Sequence, residues 1–285
     1  MPSRARHPNI FDKVRDGPLP GLPPAFHQAD LKAPGLLRLM LEGRAPWEYG
    51  ALLAALPWLK RLPAGDGHPV LVYPGLGAQD FSTAPLRRFL QGLGYSAYPW
   101  KQGFNFGPRR GVLEAVQDHL HRIVDRHGAK ASLIGWSLGG LYAREMAKAH
   151  AEWVRCVVTL GSPFSGHPRA TNAWRFYQLV SGQDIHDPEL LDQLRQPPAV
   201  PTTSIYSKSD GVVAWQCSLN DSAPHTENIE VHASHIGMGM NPLALYAIAD
   251  RLRQDPAQWR RFDVRGARRW FFKTTGHAPL EAAVA

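Results

Sequence analysis

From residue 68 onward, short apolar runs alternate with longer segments whose apolar residues recur every three or four positions. Val70-Leu71-Val72-Tyr73, Tyr95 to Tyr98, Ala131-Ser132-Leu133-Ile134, Trp153 to Leu160, Thr202 to Tyr206 and Asn228 to His232 read as strands. Between them, Leu86, Phe89, Leu90 and Leu93 fall on one helical face, and so do Val112, Leu113, Val116, Leu120, Ile123 and Val124. Leu141 to Lys148 consists mostly of good helix formers, and Asn241-Pro242 opens a last helix through Leu243, Leu245, Ile248, Ala249 and Leu252. Strands that alternate with helices need crossover connections. The pattern therefore predicts an α/β fold, a mostly parallel central sheet of about six strands with helices on both faces.

The rhythm breaks in three places. Residues 164–201 hold helical pieces (Ala173 to Leu179, Pro188 to Leu194) and no strand pattern. Inserted after the strand ending at Leu160, this stretch falls over the carboxyl ends of the strands, where open parallel sheets bind ligands, and it reads as a small helical cap. Residues 1–65 form an N-terminal extension. Its first 30 residues are rich in proline and charge, and two apolar segments follow, around Leu36 to Leu41 and Tyr49 to Leu59. Both segments suit short amphipathic helices. Packing on the main domain (residues 66–255) is the favoured role, and a mobile apolar cover near the active site or a membrane-surface contact is the alternative. Residues 256–285 form a basic, aromatic C-terminal extension.

Composition narrows the class. The chain has 285 residues, 44% of them hydrophobic, enough for a sizeable core. No apolar run is long enough to span a bilayer and the start lacks a secretory leader, so a cytoplasmic protein is expected. The two cysteines, Cys156 and Cys217, suggest neither a disulfide framework nor a zinc site. A formal charge of +8 favours anionic surroundings, but no nucleic-acid module is present. No metal or cofactor is implied.

The candidate chemistry centres on Gly135-Trp136-Ser137-Leu138-Gly139, a G-x-S-x-G between a strand and a helix. Such a turn lifts a serine hydroxyl above the sheet and aims the next amide, that of Leu138, at the same point. A serine hydroxyl needs a base to take its proton, and the base needs a carboxylate to hold it. In this architecture the partners follow in the order Asp, then His. Asp210 lies in the loop after the strand ending at Tyr206, and it is preferred over Asp184, Asp187 and Asp221, which sit further from a strand end. His235, just beyond the last strand, is preferred among thirteen histidines over His232, His225, His167 and His186. The loop Pro74-Gly75-Leu76 offers the Leu76 amide as a second oxyanion donor. Trp136, Phe164 and Trp174 are candidates to line an apolar substrate pocket, with core packing as the commoner role for such aromatics.

Pro74-Gly75-Leu76, Gly103-x-Asn105-x-Gly107-Pro108, Gly135-x-Ser137-x-Gly139-Gly140, Gly161-Ser162-Pro163, Asp210-Gly211-Val212-Val213 and Ser234-His235 together resemble the α/β-hydrolase superfamily, within it the bacterial lipase and carboxylesterase branch. The resemblance covers residues 68–253. It implies Ser137 as nucleophile, Asp210 as acid, His235 as base, the Leu76 and Leu138 amides as oxyanion hole, and hydrolysis through an acyl-serine. Many relatives have His-Gly where this chain has Pro74-Gly75. The expected substrate is a small carboxylic ester with an apolar acyl chain. Acyl transfer or thioester cleavage by the same triad is the nearest rival, and a non-catalytic binding relative is a more distant one. In the tail, Arg260, Arg261, Arg265, Arg268, Arg269 and Lys273 interleave with Trp259, Phe262, Trp270, Phe271 and Phe272. That mixture suits peripheral contact with an anionic membrane, although packing on the domain is preferred.

Overall fold

The computed structural model describes residues 31–166, 168–181 and 188–275. A seven-stranded sheet runs through it in the order β2-β1-β3-β4-β5-β6-β7. The strands are β1 (Pro69–Tyr73), β2 (Ser96–Pro99), β3 (Ala131–Trp136), β4 (Val154–Leu160), β5 (Thr202–Tyr206), β6 (Thr226–Glu230) and β7 (Lys273–Thr274). All neighbouring pairs from β2 to β6 are parallel, and β7 pairs antiparallel with β6.

Alternation along each strand sends side chains to two separate cores. Val70, Val72, Ile134, Trp136, Val158 and Leu160 face one of them. That core is closed by α3 (Ala84–Gly92) and α8 (Pro242–Leu252), with Leu52 and Leu59 of α2 (Ala45–Leu59) packed against it. Leu71, Tyr73, Ala131, Leu133 and Val157 face the other, closed by α4 (Val112–His127) and α5 (Leu138–Ala149). Because β1 is flanked by β2 on one side and β3 on the other, the direction of strand succession reverses beside it, and ligands of open α/β sheets bind at such a reversal. The loops leaving the carboxyl ends of β1 and β3 are Pro74-Gly75-Leu76 and the Ser137 turn.

The insertion between β4 and β5 is helical where described, with α6 (Trp174–Ser181) and α7 (Pro188–Arg195). Its start is stitched to the loop after β5: Thr171 bridges Val213, and Asn172 N–H donates to the Val212 carbonyl at 2.7 Å. Its end is held by Arg195, which pairs with Asp221 at 2.8 Å, and by Arg144 of α5, which donates to the carbonyls of Arg195 and Gln196.

Three outcomes differ from the pattern reading. The last strand expected at Asn228 to His232 begins two residues earlier, at Thr226, and ends at Glu230. Polar Thr226-Glu227-Asn228 reads as loop, but Glu227 is wholly buried because Arg251 pairs with it at 2.8 Å and Thr203 donates to it at 2.7 Å. The tail supplies a seventh strand, β7, and Phe262 and Phe272 are buried beside Tyr246, whereas Trp270 and Phe271 remain exposed. In the N-terminal extension a short helix, α1 (Leu36–Met40), leads through a 3-10 turn (Leu41–Arg44) into α2. The apolar residues Leu36, Leu37, Met40, Trp47, Leu53 and Trp58 face outward, so α1 docks through other groups. Among the described residues, no helix is long and apolar enough to cross a membrane.

Candidate active site

Ser137 sits where β3 turns into α5, at φ 53° and ψ −123°. This backbone region is strained for any residue with a side chain, and strain of this kind clusters at functional positions. The turn closes because two neighbours lack a Cβ. One on Gly135 would overlap the main chain of Gly139 and Gly140, and one on Gly139 would overlap the Tyr73 and Pro74 carbonyls. The same packing brings the β1 loop against the serine, since a Cβ on Gly75 would lie 3.3 Å from Ser137 Cβ and 3.9 Å from its Oγ.

Asp210 and His235 meet in the interior. His235 Nδ1 lies 2.7 Å from Asp210 Oδ2, with the two residues 7% and 3% exposed. The other carboxylate oxygen, Oδ1, accepts from the Val212 and Val213 amides at 2.8 Å each, which fixes the plane of the carboxylate. The base loop is held from below as well: Trp136 Nε1 donates to the His235 carbonyl at 3.0 Å.

Gly161 ties this pair to the serine turn. Ser137 N–H donates to the Leu160 carbonyl at 2.8 Å. The next residue, Gly161, packs closely against the pair, since a Cβ there would lie only 3.1 Å from both Asp210 Oδ2 and His235 Nδ1. The three candidate residues therefore follow strands of the same parallel sheet at its carboxyl rim, Ser137 after β3, Asp210 after β5 and His235 after β6. Among the described residues Ser137 Oγ has no hydrogen-bond partner, so the hydroxyl is not bonded to the imidazole. In resting enzymes this bond is often open and tightens when substrate arrives.

Burial favours a neutral imidazole. The Asp210 charge and hydrogen bond, joined by the more distant Glu42 charge, outweigh it and hold the His235 pKa above its ordinary 6.5.

The Leu138 amide opens α5, and the Leu76 amide lies in the β1 loop. Among the described residues neither donates to a main-chain carbonyl. Asn105, fully buried, braces the β1 loop: its Nδ2 donates to the Pro74 carbonyl at 2.7 Å, its N–H to Ala78 O at 2.8 Å, and its carbonyl accepts from Gly77 N–H at 2.7 Å. The Gly103-x-Asn105-x-Gly107 motif thus acts as a clamp on that loop.

The three pocket candidates divide. Trp136 is buried in the core under Gly239 and the base loop, and Phe164 is buried with the Arg144 guanidinium 3.8 Å above its ring. Both are packing residues. Trp174 is partly exposed on α6, with Arg169 5.7 Å from its ring. The apolar surface beside the β1 loop comes from Phe104, Phe106 and Phe176 instead. Phe104 and Phe106 stack at 5.7 Å, Phe176 meets Phe106 edge-on at 6.4 Å, and a Cβ on Gly77 would lie 3.3 Å from the Phe176 ring. Of the rival residues, Asp221 is bound to Arg195, His225 Nε2 donates to the Pro198 carbonyl at 2.9 Å, and His232 is exposed. His167, His186, Asp184 and Asp187 lie outside the described residues.

The pattern reading missed Glu42. This residue of the N-terminal turn is 4% exposed, and its carboxylate accepts from three main-chain amides in the loops that carry Asp210 and His235. Glu42 directly follows the apolar run Leu36 to Leu41, and no side chain elsewhere in the sequence marks it as a partner.

A second set of the same residue types shows why geometry alone is insufficient. At the opposite end of the sheet Asp66 bonds to His68, and His68 Nε2 lies 2.8 Å from Ser132 Oγ. Ser132 is a wholly buried strand residue, so no substrate carbonyl reaches it.

A family model described as alpha/beta hydrolase fold matches residues 79–184. No curated protein matches the chain. Among solved structures, lipase B of Aspergillus fumigatus aligns with a TM-score of 0.52 at 19% identity, over 70% of this chain and 57% of that one. This chain thus spans less than two thirds of that lipase. The monoacylglycerol lipase of Paleococcus ferrophilus aligns at 0.49 and 16% identity over 67% of this chain and 95% of its own. The Bacillus licheniformis lipase BlEst2 aligns at 0.49 and 16%, over 68% and 95%. At these identities the likeness is one of fold.

Proposed function

We propose, from the α/β-hydrolase fold of this chain, that it is a serine hydrolase that cleaves carboxylic esters. The observation that carries the reading is the buried His235–Asp210 bond of 2.7 Å at the same sheet rim as the strained Ser137 turn.

In the proposed reaction Ser137 Oγ attacks the ester carbonyl carbon while His235 Nε2 takes its proton. Asp210 keeps the proton on Nδ1 and stabilises the imidazolium that forms. The Leu76 and Leu138 amides receive the oxyanion, which is the larger electrostatic contribution in acyl transfer. Collapse of the tetrahedral intermediate breaks the carbon–oxygen bond to the alcohol, and His235 returns the proton to that leaving oxygen. Water then attacks the acyl-serine, again giving its proton to His235, and the acid leaves as Ser137 regains its hydrogen.

The substrate class follows from the surroundings. The aromatic surface of Phe104, Phe106 and Phe176 beside the β1 loop supports an apolar acyl group. The β4–β5 insertion, which contributes Phe176, is read as the cap over that group.

Hydrolysis of p-nitrophenyl butyrate by the protein and by its Ser137→Ala variant tests the proposal. The variant is expected to lose turnover and phosphonate labelling while keeping its thermal melt. Undiminished hydrolysis by a folded Ser137→Ala protein refutes the mechanism.

A further inference from the structure

We propose that Glu42, supplied by the N-terminal extension, is a positioning residue for the acid–base pair, gripping the loops of Asp210 and His235 through their main-chain amides. The inference rests on the reading of those two residues as the acid and base of a serine hydrolase.

The geometry is specific to those loops. Glu42 Oε1 accepts from Gly211 N–H at 2.7 Å and from His235 N–H at 3.0 Å, and Oε2 accepts from Ile236 N–H at 2.8 Å. One carboxylate thus joins the residue after the acid to the base itself and the residue after it. A buried carboxylate is costly unless its charge is met. Among the described residues no cation forms an ion pair with Glu42, because the neighbouring Arg44 turns to Glu48 at 3.3 Å and to Ser209 Oγ at 2.8 Å. The three amide dipoles are therefore the charge's chief compensation.

The rest of the segment fits the same role. Glu48 Oε1 accepts from Ser234 N–H at 2.6 Å, one residue before the base, and Arg44 donates to the Ser209 carbonyl at 3.0 Å, one residue before the acid. A Cβ on Gly211 would overlap the Arg38 carbonyl, so the end of α1 lies directly on the acid loop. Asn172 Nδ2 bridges this contact, donating to Pro34 O at 3.0 Å and Gly211 O at 2.8 Å.

The arrangement has an electrostatic consequence. The charged groups that act on the imidazole are Asp210 from the acid loop and Glu42 from the N-terminal segment, whereas Arg44 and Glu48 pair with each other at 3.3 Å and Lys208 turns to Glu230 at 2.8 Å. Glu42 adds to Asp210 in raising the His235 pKa. Its charge therefore favours the imidazolium formed when Ser137 gives up its proton. A merely structural clamp would not carry this signature.

The test is a pH profile of kcat/KM for p-nitrophenyl butyrate with Glu42→Gln, Glu42→Asp and Gly211→Ala, each checked for a cooperative melt. Glu42→Gln keeps one acceptor oxygen, loses the charge and sets an amide N–H against a main-chain N–H. Its acid limb is expected at lower pH than that of the parent, with kcat reduced by up to about 100-fold and KM little changed. Glu42→Asp keeps the charge and is expected to hold the limb nearer the parent's while kcat still falls. Gly211→Ala wedges α1 off the acid loop and is expected to move the limb in the same direction as Glu42→Gln. A Glu42→Gln enzyme with the parent's limb and kcat overturns the inference. If that variant does not fold, a folded Gly211→Ala enzyme with the parent's profile overturns it equally. Parent and Ser137→Ala proteins with equal hydrolysis would instead refute the triad itself, an outcome separate from either.

Discussion

Replacing Asp210 by asparagine separates the charge of the acid from its hydrogen bonds, and the structure decides which way the new amide must face. In the parent, Oδ1 accepts from two amides, Val212 and Val213, at 2.8 Å, and Oδ2 faces His235 Nδ1 at 2.7 Å. With asparagine the carbonyl oxygen is claimed by the two N–H donors, so the NH₂ group points at the imidazole. His235 must then accept at Nδ1 and carry its proton on Nε2, where it cannot receive the serine's proton. The alternative orientation restores the working tautomer but leaves two buried amides facing an NH₂. At about 1–3 kcal/mol for each unsatisfied donor, that orientation is about 2–6 kcal/mol less stable. The competent form is therefore suppressed by about 30-fold to about 10⁴-fold. Initial rates on p-nitrophenyl butyrate at mildly alkaline pH, alongside a thermal melt, measure the loss. A folded Asp210→Asn protein that retains a third or more of the parent's kcat/KM would refute the orientation argument and the role of Asp210 with it.

Two further outcomes follow from the same geometry. His235 acts as a base only when neutral and its pKa is raised above 6.5, so kcat/KM is expected to rise with pH through a limb above that value; a limb at or below 6.5 contradicts the coupling to Asp210. The same raised pKa contributes folding stability that is fully present below the unfolded imidazole's pKa and fades as pH rises through the folded one. Phe262 is 4% exposed between Tyr246 and Phe272, so Phe262→Ala is expected to destabilise the fold by about 3–5 kcal/mol, read from chemical denaturation; a change under about 1 kcal/mol would show that the tail is not part of the core.

How much of this was legible depended on whether a contact leaves a mark on both partners. The strands of the sheet did so, because a buried parallel strand must be apolar on both faces, as Val70 to Tyr73 are. The serine turn did so too, since its glycines are demanded by steric overlap and leave a spaced signature. The bond between Asp210 and His235 joins two loops whose places, after β5 and β6, the strand pattern predicts. Glu227 misled, because its burial depends on Arg251, 24 residues further on in the chain, and the strand's polar start resembled a loop. Glu42 was illegible for a deeper reason. Its partners are main-chain amides, which every residue except proline possesses, so the loops it grips carry no side-chain letter that points back to it. Apolar content likewise misled at α1, whose leucines face outward while Glu42 makes the docking contact, whereas α2 packs on the domain through Leu52 and Leu59 as its pattern suggests. Trp136 and Phe164 suggested a pocket by type, whereas their neighbours make them interior.

The bond between Glu42 and the His235 amide spans 193 residues of sequence. At ordinary rates of translation, about 10–40 s pass between the emergence of one partner and the other. For most of that interval the carboxylate has none of its three amides, and α1 lacks the acid loop it lies on. The nascent chain can lay down β1 to β4 in order, but the loops of Asp210 and His235 are joined through Glu42 only after β6 has emerged.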